Sequence, residues 1–515
     1  MEGGIPRARL GQREGLVAEE IHSPAAETRG LDGWFQIPDL DLMSILQEAC
    51  GQGSADKART SDHQDSHAFG SICDRGALKQ GREGTGEMLP STIFRILDVK
   101  ANLEGGLMRL GIFHPAFEVI RGAELLVAAQ IRYFHDQGFA PEAVTLAVDA
   151  SIWSARLEGI PLHLIQKRHW SDPLFGWSPL AKLRRRGLRA ERILKDFDLV
   201  LAHNFPSSAM LGAARIRARK IWQCNEPPRG IHMRQANPIL TARVLATGGR
   251  GAEDASGRFA KDLEAHDRVM GQDSSAKARH AYDLEAAKGL DLIYAISEFS
   301  RDNARSIYGR CRDEVIYPIV KFPEGGRHRS GLERSVRRVL VHSRLEALKN
   351  IDTVIRGFSR FLKDSPVPCE LHVVGEGPAK ARLESLAMDL CSAGSVRFHG
   401  YLPDAELRKV YEACDVFALL TLDEPFGMVY PEAAAKGLLL VGPDHGGPLE
   451  ILDGGRLGWT LDAFSPEALC AVLGEIWSLD DAEVDRRREA ADQACRSRYS
   501  LAAVGPQLLQ LMEAT

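Results

Sequence analysis

Two glutamates flank a glycine-containing turn in residues 420–432, which read Leu-Thr-Leu-Asp-Glu-Pro-Phe-Gly-Met-Val-Tyr-Pro-Glu. Seven residues separate Glu424 from Glu432. The apolar run 415–420 precedes the turn, and the helix-compatible run 431–436 follows it. The segment is therefore predicted to join the end of a strand to the start of a helix, which is where α/β folds place their ligands.

The backbone of this turn suits an anionic ligand. Gly427 lets the chain approach a ligand closely, and the amides of Met428 and Val429 are expected to face outward at the helix start. Such amides, with the helix dipole behind them, favour a phosphate. The two carboxylates could then hold two hydroxyl-rich parts of the same ligand. Two glutamates taken alone are also compatible with a solvated loop and a capping acid.

Two cations follow an earlier predicted strand. Arg344 and Lys349 can meet in front of its end, where a planar guanidinium and a point charge suit a diphosphate. A lysine near a helix start is unfavourable for the helix dipole, and this favours a ligand over a plain surface charge. The turn at Gly375 and Gly377 ends a further predicted strand and is equally compatible with turn chemistry and with ligand contact.

The composition is that of a globular protein with no general attraction to nucleic acid. The 515 residues are 44% hydrophobic and 26% charged, and 65 basic against 70 acidic residues give a net charge of −5. The length allows two or three domains. Nine cysteines without Cys-x-x-Cys pairs indicate reduced thiols. Because no apolar run reaches the roughly 18 residues of a membrane span and the N-terminus lacks the apolar stretch of a signal peptide, we expect a cytoplasmic protein.

The chain is predicted to contain an extension, two domains and a terminal helix. Residues 1–90 are rich in glycine, serine and charge and are expected to be mostly disordered. Strands alternate with helices in 105–320 and again in 325–490, and a helix in 491–515 is expected to pack back on the first domain. This alternation predicts an α/β fold with two Rossmann-like, doubly wound parallel sheets that face a ligand-binding cleft. The predicted strands are 108–113, 143–148, 197–202, 220–223, 290–296, 339–342, 370–374, 395–399, 416–420 and 438–442.

The ordered set of motifs resembles the retaining family-4 glycosyltransferases of GT-B architecture, also described as glycosyl transferases group 1. The likeness covers about residues 105–510, and the set is specific although each piece alone is weak. The matching pieces are Arg121–Glu124, 223–229, 295–303, 342–350, 371–378, 396–402, 424–432 and 446–450.

The resemblance implies a binding site for a nucleotide sugar, linked to UDP or GDP. It implies that Glu432 accepts hydrogen bonds from the ribose and that Glu424 holds hydroxyls of the donor sugar. It further implies that the backbone at 400–402 contacts the base and that the amides at 427–429 cover the sugar and distal phosphate. The donor-binding residues implied are Arg344, Lys349, Gly375, Gly377, Gly400, Leu402, Glu424, Phe426, Gly427, Met428, Val429 and Glu432.

The resemblance also implies the chemistry. Arg344 and Lys349, together with the helix amides, would stabilise the leaving diphosphate without a metal ion or other cofactor. Attack on the same face of the sugar is the usual proposal for the retaining family, with the departing phosphate oxygen accepting the acceptor's proton. Glu424 would assist electrostatically rather than as a covalent nucleophile. These three residues are the predicted catalytic residues.

The first domain departs from the family pattern. Many members carry two glycines where this chain has Arg121 and Gly122, and a side chain there would crowd or contact the ligand. Many members also carry a histidine at the end of the strand that leads here to Asn225. An asparagine can hydrogen-bond a sugar hydroxyl but cannot act as an acid or base. Gly122 and Asn225 are the predicted acceptor-side residues of the cleft.

Three other titratable residues lie near the predicted ligand edge. His114 and His203 lie at strand ends, and both a buried core role and a catalytic role remain open. Glu450 is interpreted as an acid at a helix start rather than as a catalytic base.

The predicted function is transfer of a hexose from a nucleotide sugar to a hydroxyl of a glycan, polysaccharide or lipid-linked acceptor. Two alternatives stay open. A sugar phosphorylase could use the same cleft with inorganic phosphate, and a non-catalytic scaffold could retain a relic cleft. A Rossmann dehydrogenase is disfavoured because no Gly-x-Gly-x-x-Gly follows the first strand of either domain.

A basic stretch in the first domain suggests contact with an anionic membrane surface. Residues 182–195 hold seven cations against the single acid Glu191, with apolar residues between them. An amphipathic basic helix of this kind is typical of peripheral attachment to the cytoplasmic leaflet. In the alternative, its leucines pack on the sheet of the first domain, and Gly187 weakens the helix. The seven cations are Lys182, Arg184, Arg185, Arg186, Arg189, Arg192 and Lys195.

Overall fold

The computed structural model describes residues 108–120, 122–165, 179–246, 255–323 and 330–513. All of these belong to one compact unit. The predicted N-terminal extension, residues 1–90, lies outside the described residues, as does the departure at Arg121.

A parallel six-stranded sheet forms the first half of the described chain, in the order β3-β2-β1-β4-β5-β6. Its central strands β1 and β4 are mostly apolar and buried apart from the exposed Arg109, as expected for strands covered on both faces. The strands are β1 (Arg109–His114), β2 (Ala140–Thr145), β3 (Leu162–Leu164), β4 (Leu199–His203), β5 (Arg219–Cys224) and β6 (Leu292–Ala295).

Helices connect these strands, and four described helices form an insertion between β5 and β6. The helices of this half are α1 (Gly122–Asp136), α2 (Ala150–Trp153), α3 (Pro179–Leu194), α4 (Ser207–Ala213), α5 (Arg229–Ala236), α6 (Pro238–Ala246), α7 (Ala255–Gln272), α8 (Ser274–Lys288) and α9 (Glu298–Tyr308).

The second half repeats the arrangement with a parallel sheet in the order β12-β11-β10-β7-β8-β9. Its strands are β7 (Arg337–His342), β8 (Cys369–Val374), β9 (Val396–Gly400), β10 (Val416–Ala418), β11 (Leu439–Pro443) and β12 (Trp459–Leu461). Its helices are α10 (Ile351–Asp364), α11 (Lys380–Leu390), α12 (Asp404–Ala413), α13 (Val429–Ala435), α14 (Gly447–Ile451), α15 (Pro466–Ser478), α16 (Asp481–Tyr499) and α17 (Leu501–Glu513).

The last helix packs on the first sheet. Val504 and Leu508 of α17 are fully buried in the same apolar cluster as Leu110 and Ile112 of β1. The guanidinium of Arg219 donates to the carbonyl of Leu511 at 2.8 Å. The chain therefore crosses between the two halves twice, once after α9 and once at the end of α16.

The predicted fold class is confirmed by the two parallel sheets, but several strand bounds are wrong. β3 and β12 were absent from the prediction because three-residue edge strands carry little periodic signal. β2 begins at Ala140, and the residues after Thr145 leave the sheet. Beyond it, Phe117 forms an isolated parallel bridge with Val148, and its amide donates to the carbonyl of Ala147 at 2.8 Å.

The basic stretch forms α3, and its apolar face is committed to the core. Leu183 and Leu194 are buried in the cluster beneath the sheet, whereas Leu188 is 63% exposed. Gly187 is also buried, against the hydroxyl of Tyr282 and Met210. Leu183 and Leu194 therefore pack on the sheet, which is the alternative to membrane contact. Among the described helices none is both long and apolar enough to cross a bilayer.

Candidate active site

A pocket of about 710 Å³ lies between the two halves, at the carboxyl ends of their strands. Its walls come from the start of α1, the end of β5, the crossing segment near Pro318, and the loops that follow β7 and β10. The lining residues are Gly122, Ala123, Leu126, Asn225, Ile296, Pro318, Ser343, Arg344, Lys349, Leu419, Glu424, Pro425, Phe426, Gly427, Met428 and Val429. Predicted residues from both halves therefore meet in one cavity.

Lys349 and Glu424 form an ion pair in this pocket. The ammonium nitrogen lies 2.5 Å from a carboxylate oxygen, and the two side chains are only 7% and 6% exposed. Lys349 ends a short 3-10 turn, and Asn350 follows it with a left-handed φ of 54°. The side-chain amide of Asn350 donates to the carbonyls of Leu420 and Ala463. The first of these bonds fixes the turn against the loop after β10. A ligand could replace each partner of this pair. A phosphate would pair with Lys349, and hydroxyl groups would donate to Glu424.

Arg344 presents a guanidinium with unused hydrogen-bonding capacity. Its Nε lies 2.9 Å from a carboxylate oxygen of Glu346. Among the described residues, its buried Nη1 has no hydrogen-bond partner. A buried cationic donor without a partner is costly, and an anionic ligand at this wall would satisfy it.

Gly375 and Gly377 allow the loop after β8 to pack directly on the loop that carries Arg344. A Cβ at Gly375 would lie 2.0 Å from the carbonyl oxygen of Ser343, and one at Gly377 would lie 2.4 Å from that of Leu345. Both glycines also have positive φ, 125° and 157°. Glycine is required at both positions because the backbones pack closely beside the pocket. Neither glycine lines the pocket wall.

Gly427 shapes the turn into α13. Its φ is 99°, and a Cβ there would meet the ring of Tyr430 at 2.9 Å. Met428 caps α13, so its amide and that of Val429 lie at the open helix end beside the pocket. Phe426 lies on the same wall.

Glu432 lies deeper in the fold than predicted. Its side chain is buried, and Oε1 has no hydrogen-bond partner among the described residues. Burial raises the pKa of this carboxyl to about 7, against the lowering effect of Lys436. The pocket wall does not include Glu432, Gly400 or Leu402. Gly400 ends β9, and its carbonyl accepts from the amide of Gly375 at 2.8 Å. It therefore lies at the same edge of the sheet as the pocket, but outside the pocket wall.

Asn225 and Gly122 line the opposite wall of the pocket. The side-chain oxygen of Asn225 accepts from Gln223 at 2.9 Å, and its backbone carbonyl accepts from Ser300 at 2.6 Å. The asparagine is therefore held by its neighbours on β5 and α9. Gly122 begins α1, and the absence of a side chain there leaves the helix start open to the cavity.

The two histidines at strand ends do not line the pocket. His114 and His203 are 2% and 0% exposed, and His114 lies 3.6 Å from Glu124. Burial lowers the pKa of His203 well below its ordinary value. A neutral, buried imidazole at this depth fits the core role that the sequence left open.

Arg229 and Asn237, which the sequence analysis did not single out, join the two halves beside the site. Arg229 of α5 lies 2.8 Å from the carboxylate of Asp423, the residue before Glu424. Asn237 donates to the same carboxylate at 3.0 Å. Both Arg229 and Asp423 lie inside the quoted motifs, but their distance of almost 200 positions along the chain concealed the pairing.

Glu450 also connects the halves. It lies in the first turn of α14, as expected, but its carboxylate accepts from the backbone amide of Phe299 at 2.8 Å. It therefore caps α9 of the first half. Burial raises the pKa of this carboxyl to about 7. Within the described residues, no group of three or more histidines, cysteines or acids is arranged to hold a metal ion.

The comparisons with known proteins agree with this architecture. Solved structures of Anabaena Alr3699/HepE in complex with UDP and glucose, and of sucrose-phosphate synthase from Thermosynechococcus elongatus, superpose with TM-scores of 0.56 each. They share 16% and 14% identity with this chain and cover 79% and 78% of it, over 100% and 98% of their own chains. The two facing sheets and the cleft between them are therefore the GT-B fold.

Residues 327–494 match the family described as Glycosyl transferases group 1. The predicted resemblance to this family is confirmed over that segment of the second half. Mannosylfructose-phosphate synthase from Agrobacterium fabrum is 32% identical over 46% of this chain and 56% of its own length. A D-inositol 3-phosphate glycosyltransferase from Corynebacterium urealyticum is 30% identical over 39% of this chain and 51% of its own. The chain thus spans about half the length of these curated relatives.

Proposed function

We propose that the protein is a glycosyltransferase that moves a hexose from a UDP- or GDP-linked donor to an acceptor hydroxyl with retention of anomeric configuration. The observation that carries this proposal is the Lys349–Glu424 pair beside the unpartnered nitrogen of Arg344, in a pocket walled by both halves. One wall offers groups for a diphosphate and for sugar hydroxyls. The other wall leaves an open face for a second substrate.

In the proposed complex the diphosphate lies between Arg344, Lys349 and the amides at the start of α13. These charges stabilise the phosphate as its bond to the sugar breaks, and they act without a metal ion. Glu424, released from Lys349, accepts hydrogen bonds from the sugar hydroxyls. Glu432, along the same strand edge, accepts from the ribose, and this would satisfy its buried oxygen.

Retention follows if the acceptor attacks from the face that the diphosphate leaves. The anomeric carbon develops oxocarbenium character, the departing phosphate oxygen takes the proton of the acceptor hydroxyl, and the new glycosidic bond forms on that same face. In this proposal Glu424 binds the sugar hydroxyls and contributes electrostatically rather than as a nucleophile. The acceptor reaches the sugar from the wall of Gly122 and Asn225.

The direct test is incubation of the full chain with a panel of UDP- and GDP-sugars, with release of the nucleoside diphosphate as the readout. We expect one or a few donors to be hydrolysed slowly and transferred rapidly once a glycan or lipid-linked acceptor is present. Proton NMR of the product is expected to show the donor's anomeric configuration, with activity unchanged by a chelator. Phosphate-dependent cleavage of a glycoside without nucleotide binding would identify a phosphorylase, and binding of neither substrate class would identify a scaffold.

We further propose that the protein works on the cytoplasmic face of a membrane, with α3 as the contact. Because Leu183 and Leu194 of α3 are buried in the core, attachment would depend mainly on charge. Lys182, Arg184, Arg192 and Lys195 are exposed, as is Leu188. Sedimentation with anionic vesicles at low salt is expected to exceed that with neutral vesicles. Changing the four cations to glutamate should abolish the preference, whereas equal sedimentation with both vesicle types contradicts the proposal.

A further inference from the structure

The loop that carries Glu424 is held from both halves of the molecule. On its own side, the carbonyl of Glu424 accepts from the amide of Gly447 at 2.9 Å, and His445 hydrogen-bonds the carbonyl of Leu422 at 2.9 Å. From the opposite half, both carboxylate oxygens of Asp423 are engaged. Arg229 lies 2.8 Å from one oxygen and Asn237 lies 3.0 Å from the other.

The Arg229–Asp423 pair is buried and belongs to a continuous row of charges. Its side chains are 13% and 3% exposed. Arg229 also donates to Glu226 at 2.7 Å, and Glu226 follows Asn225 on the acceptor wall. The row therefore runs from the acceptor wall through Glu226, Arg229 and Asp423 to the Lys349–Glu424 pair, with three acids and two cations.

A second contact between the halves, made by Arg243, is more exposed to solvent. Arg243 of α6 makes two hydrogen bonds to Asp444, at 2.6 and 2.8 Å, and both side chains are about one third exposed. Exposed pairs of this type contribute little to stability, whereas removal of one partner from a buried pair leaves an uncompensated charge. Arg243 thus provides a control that links the halves, since its partner Asp444 lies outside the loop of residues 422–427.

We propose that Arg229 is a positioning residue through which the first half of the molecule sets the conformation of the donor loop. When the cleft is closed, Arg229 holds Asp423, and the adjacent Glu424 is oriented towards the donor sugar. When the halves separate, the pair breaks and Glu424 loses that orientation. Productive binding of the sugar is then coupled to closure, while the nucleotide, held by the second half alone, binds in either state. This inference rests on the proposed function.

The test compares Arg229→Gln, Arg229→Lys and Asp423→Asn with the control Arg243→Gln. Titration calorimetry with UDP and GDP is expected to give dissociation constants within about twofold of wild type for all variants. Arg229→Gln should lower kcat at least tenfold with little change in the KM of the donor, and Arg229→Lys should recover part of the loss. Arg243→Gln should change kcat less than threefold.

The double variant Arg229→Gln with Asp423→Asn separates positioning from stability. It removes both buried charges, so its Tm is expected to return towards the wild-type value. If Arg229 positions the loop, kcat stays low despite that recovery. If kcat returns with Tm, the pair is only structural and the proposal is overturned. Equal losses of kcat in the Arg229 and Arg243 variants would overturn it too.

Hydrogen exchange of residues 422–427 in the free protein provides a readout that needs no substrate. Arg229→Gln should speed exchange in this segment about tenfold, and Arg243→Gln should leave it unchanged. If the wild-type protein transfers no sugar but the two variants differ in exchange as expected, the proposed function is contradicted. The role of Arg229 in holding the loop is then still supported. If exchange in residues 422–427 is unchanged in Arg229→Gln, Arg229 does not hold the loop, whatever the transferase activity of the variant.

Discussion

Replacement of the buried acid Glu432 by glutamine tests whether this residue is kept for a ligand at a cost in stability. Burial raises the pKa of the carboxyl from its ordinary 4.5 to about 7. Glu432→Gln removes the ionisation while keeping the size of the side chain. The expected effect is therefore a change in how stability depends on pH.

The sign follows from the raised pKa. Below about pH 4.5 both the native and the unfolded state of the wild type carry the proton, so ionisation has no effect on stability. Between about 4.5 and 7 only the native state keeps the proton, and stability falls as pH rises. Above 7 the full cost of the buried charge is present. The difference of 7 minus 4.5, at about 1.4 kcal/mol per unit, gives a cost of about 3 kcal/mol at pH 8.

Thermal unfolding at pH 5 and pH 8 measures this cost. Glu432→Gln should gain about 2–3 kcal/mol relative to wild type between the two pH values, roughly 5–10 °C in Tm for a domain of this size. Glu406→Gln on the exposed face of α12 is the control and should show no such gain. Glu450, whose carboxyl also has a pKa of about 7, is present in all three proteins, so its contribution cancels.

Binding of a nucleotide sugar to the same variants gives the functional half of the test. If ribose hydroxyls donate to Glu432, they favour its ionised form, and the wild type should bind the donor more tightly at pH 8 than at pH 6. Glu432→Gln should bind more weakly at pH 8 and lose this dependence. A variant whose Tm gain is the same at both pH values, or whose donor affinity keeps the wild-type pH dependence, would refute the reasoning.

Other substitutions test the remaining parts of the site. Arg344→Ala and Lys349→Ala should each weaken nucleoside diphosphate binding by about 1.5–3 kcal/mol in calorimetry, the scale of a hydrogen bond to a charged group, and wild-type affinity in both would place the diphosphate elsewhere. Glu424→Gln should leave that affinity nearly unchanged but lower turnover of the full donor, and a loss on the bare nucleotide equal to that of Lys349→Ala would contradict the assignment to the sugar. Gly377→Ala should lower Tm by several degrees because its Cβ would lie 2.4 Å from a carbonyl oxygen, whereas Gly474→Ala, in open space on α15, should raise Tm slightly.

Most of the residues that line the pocket could be singled out from the sequence because their signals are local. Arg344 and Lys349 follow a strand by a few positions, and Glu424 and Gly427 belong to one turn between a strand and a helix. In parallel sheets, such positions lie at one edge whatever the details of packing. The pocket accordingly contains most of the predicted residues. Glu432 was harder to place, because burial on the first turn of a helix depends on what packs over it.

The helix α3 shows the limit of pattern reading. Its alternation of leucines and arginines is the same for a helix on a membrane and for a helix on a sheet, and both were open from the sequence. The structure buries Leu183 and Leu194 against the first sheet. Likewise, β3 and β12 are too short for their composition to reveal them, and only pairing with a neighbouring strand defines them.

The two α/β halves, the carboxyl-end edge of each sheet and the acids and cations that lie there can be predicted from the sequence, because strand alternation and turn chemistry act over a few residues. Only the tertiary structure decided that Lys349 binds Glu424, that Arg229 reaches Asp423 and that Glu450 caps a helix of the other half. These pairs lie 75 to almost 200 positions apart along the chain. The Lys349–Glu424 pair depends on how two loops of the second half pack together, and the other two pairs depend on how the two halves pack against each other. No local pattern encodes either arrangement.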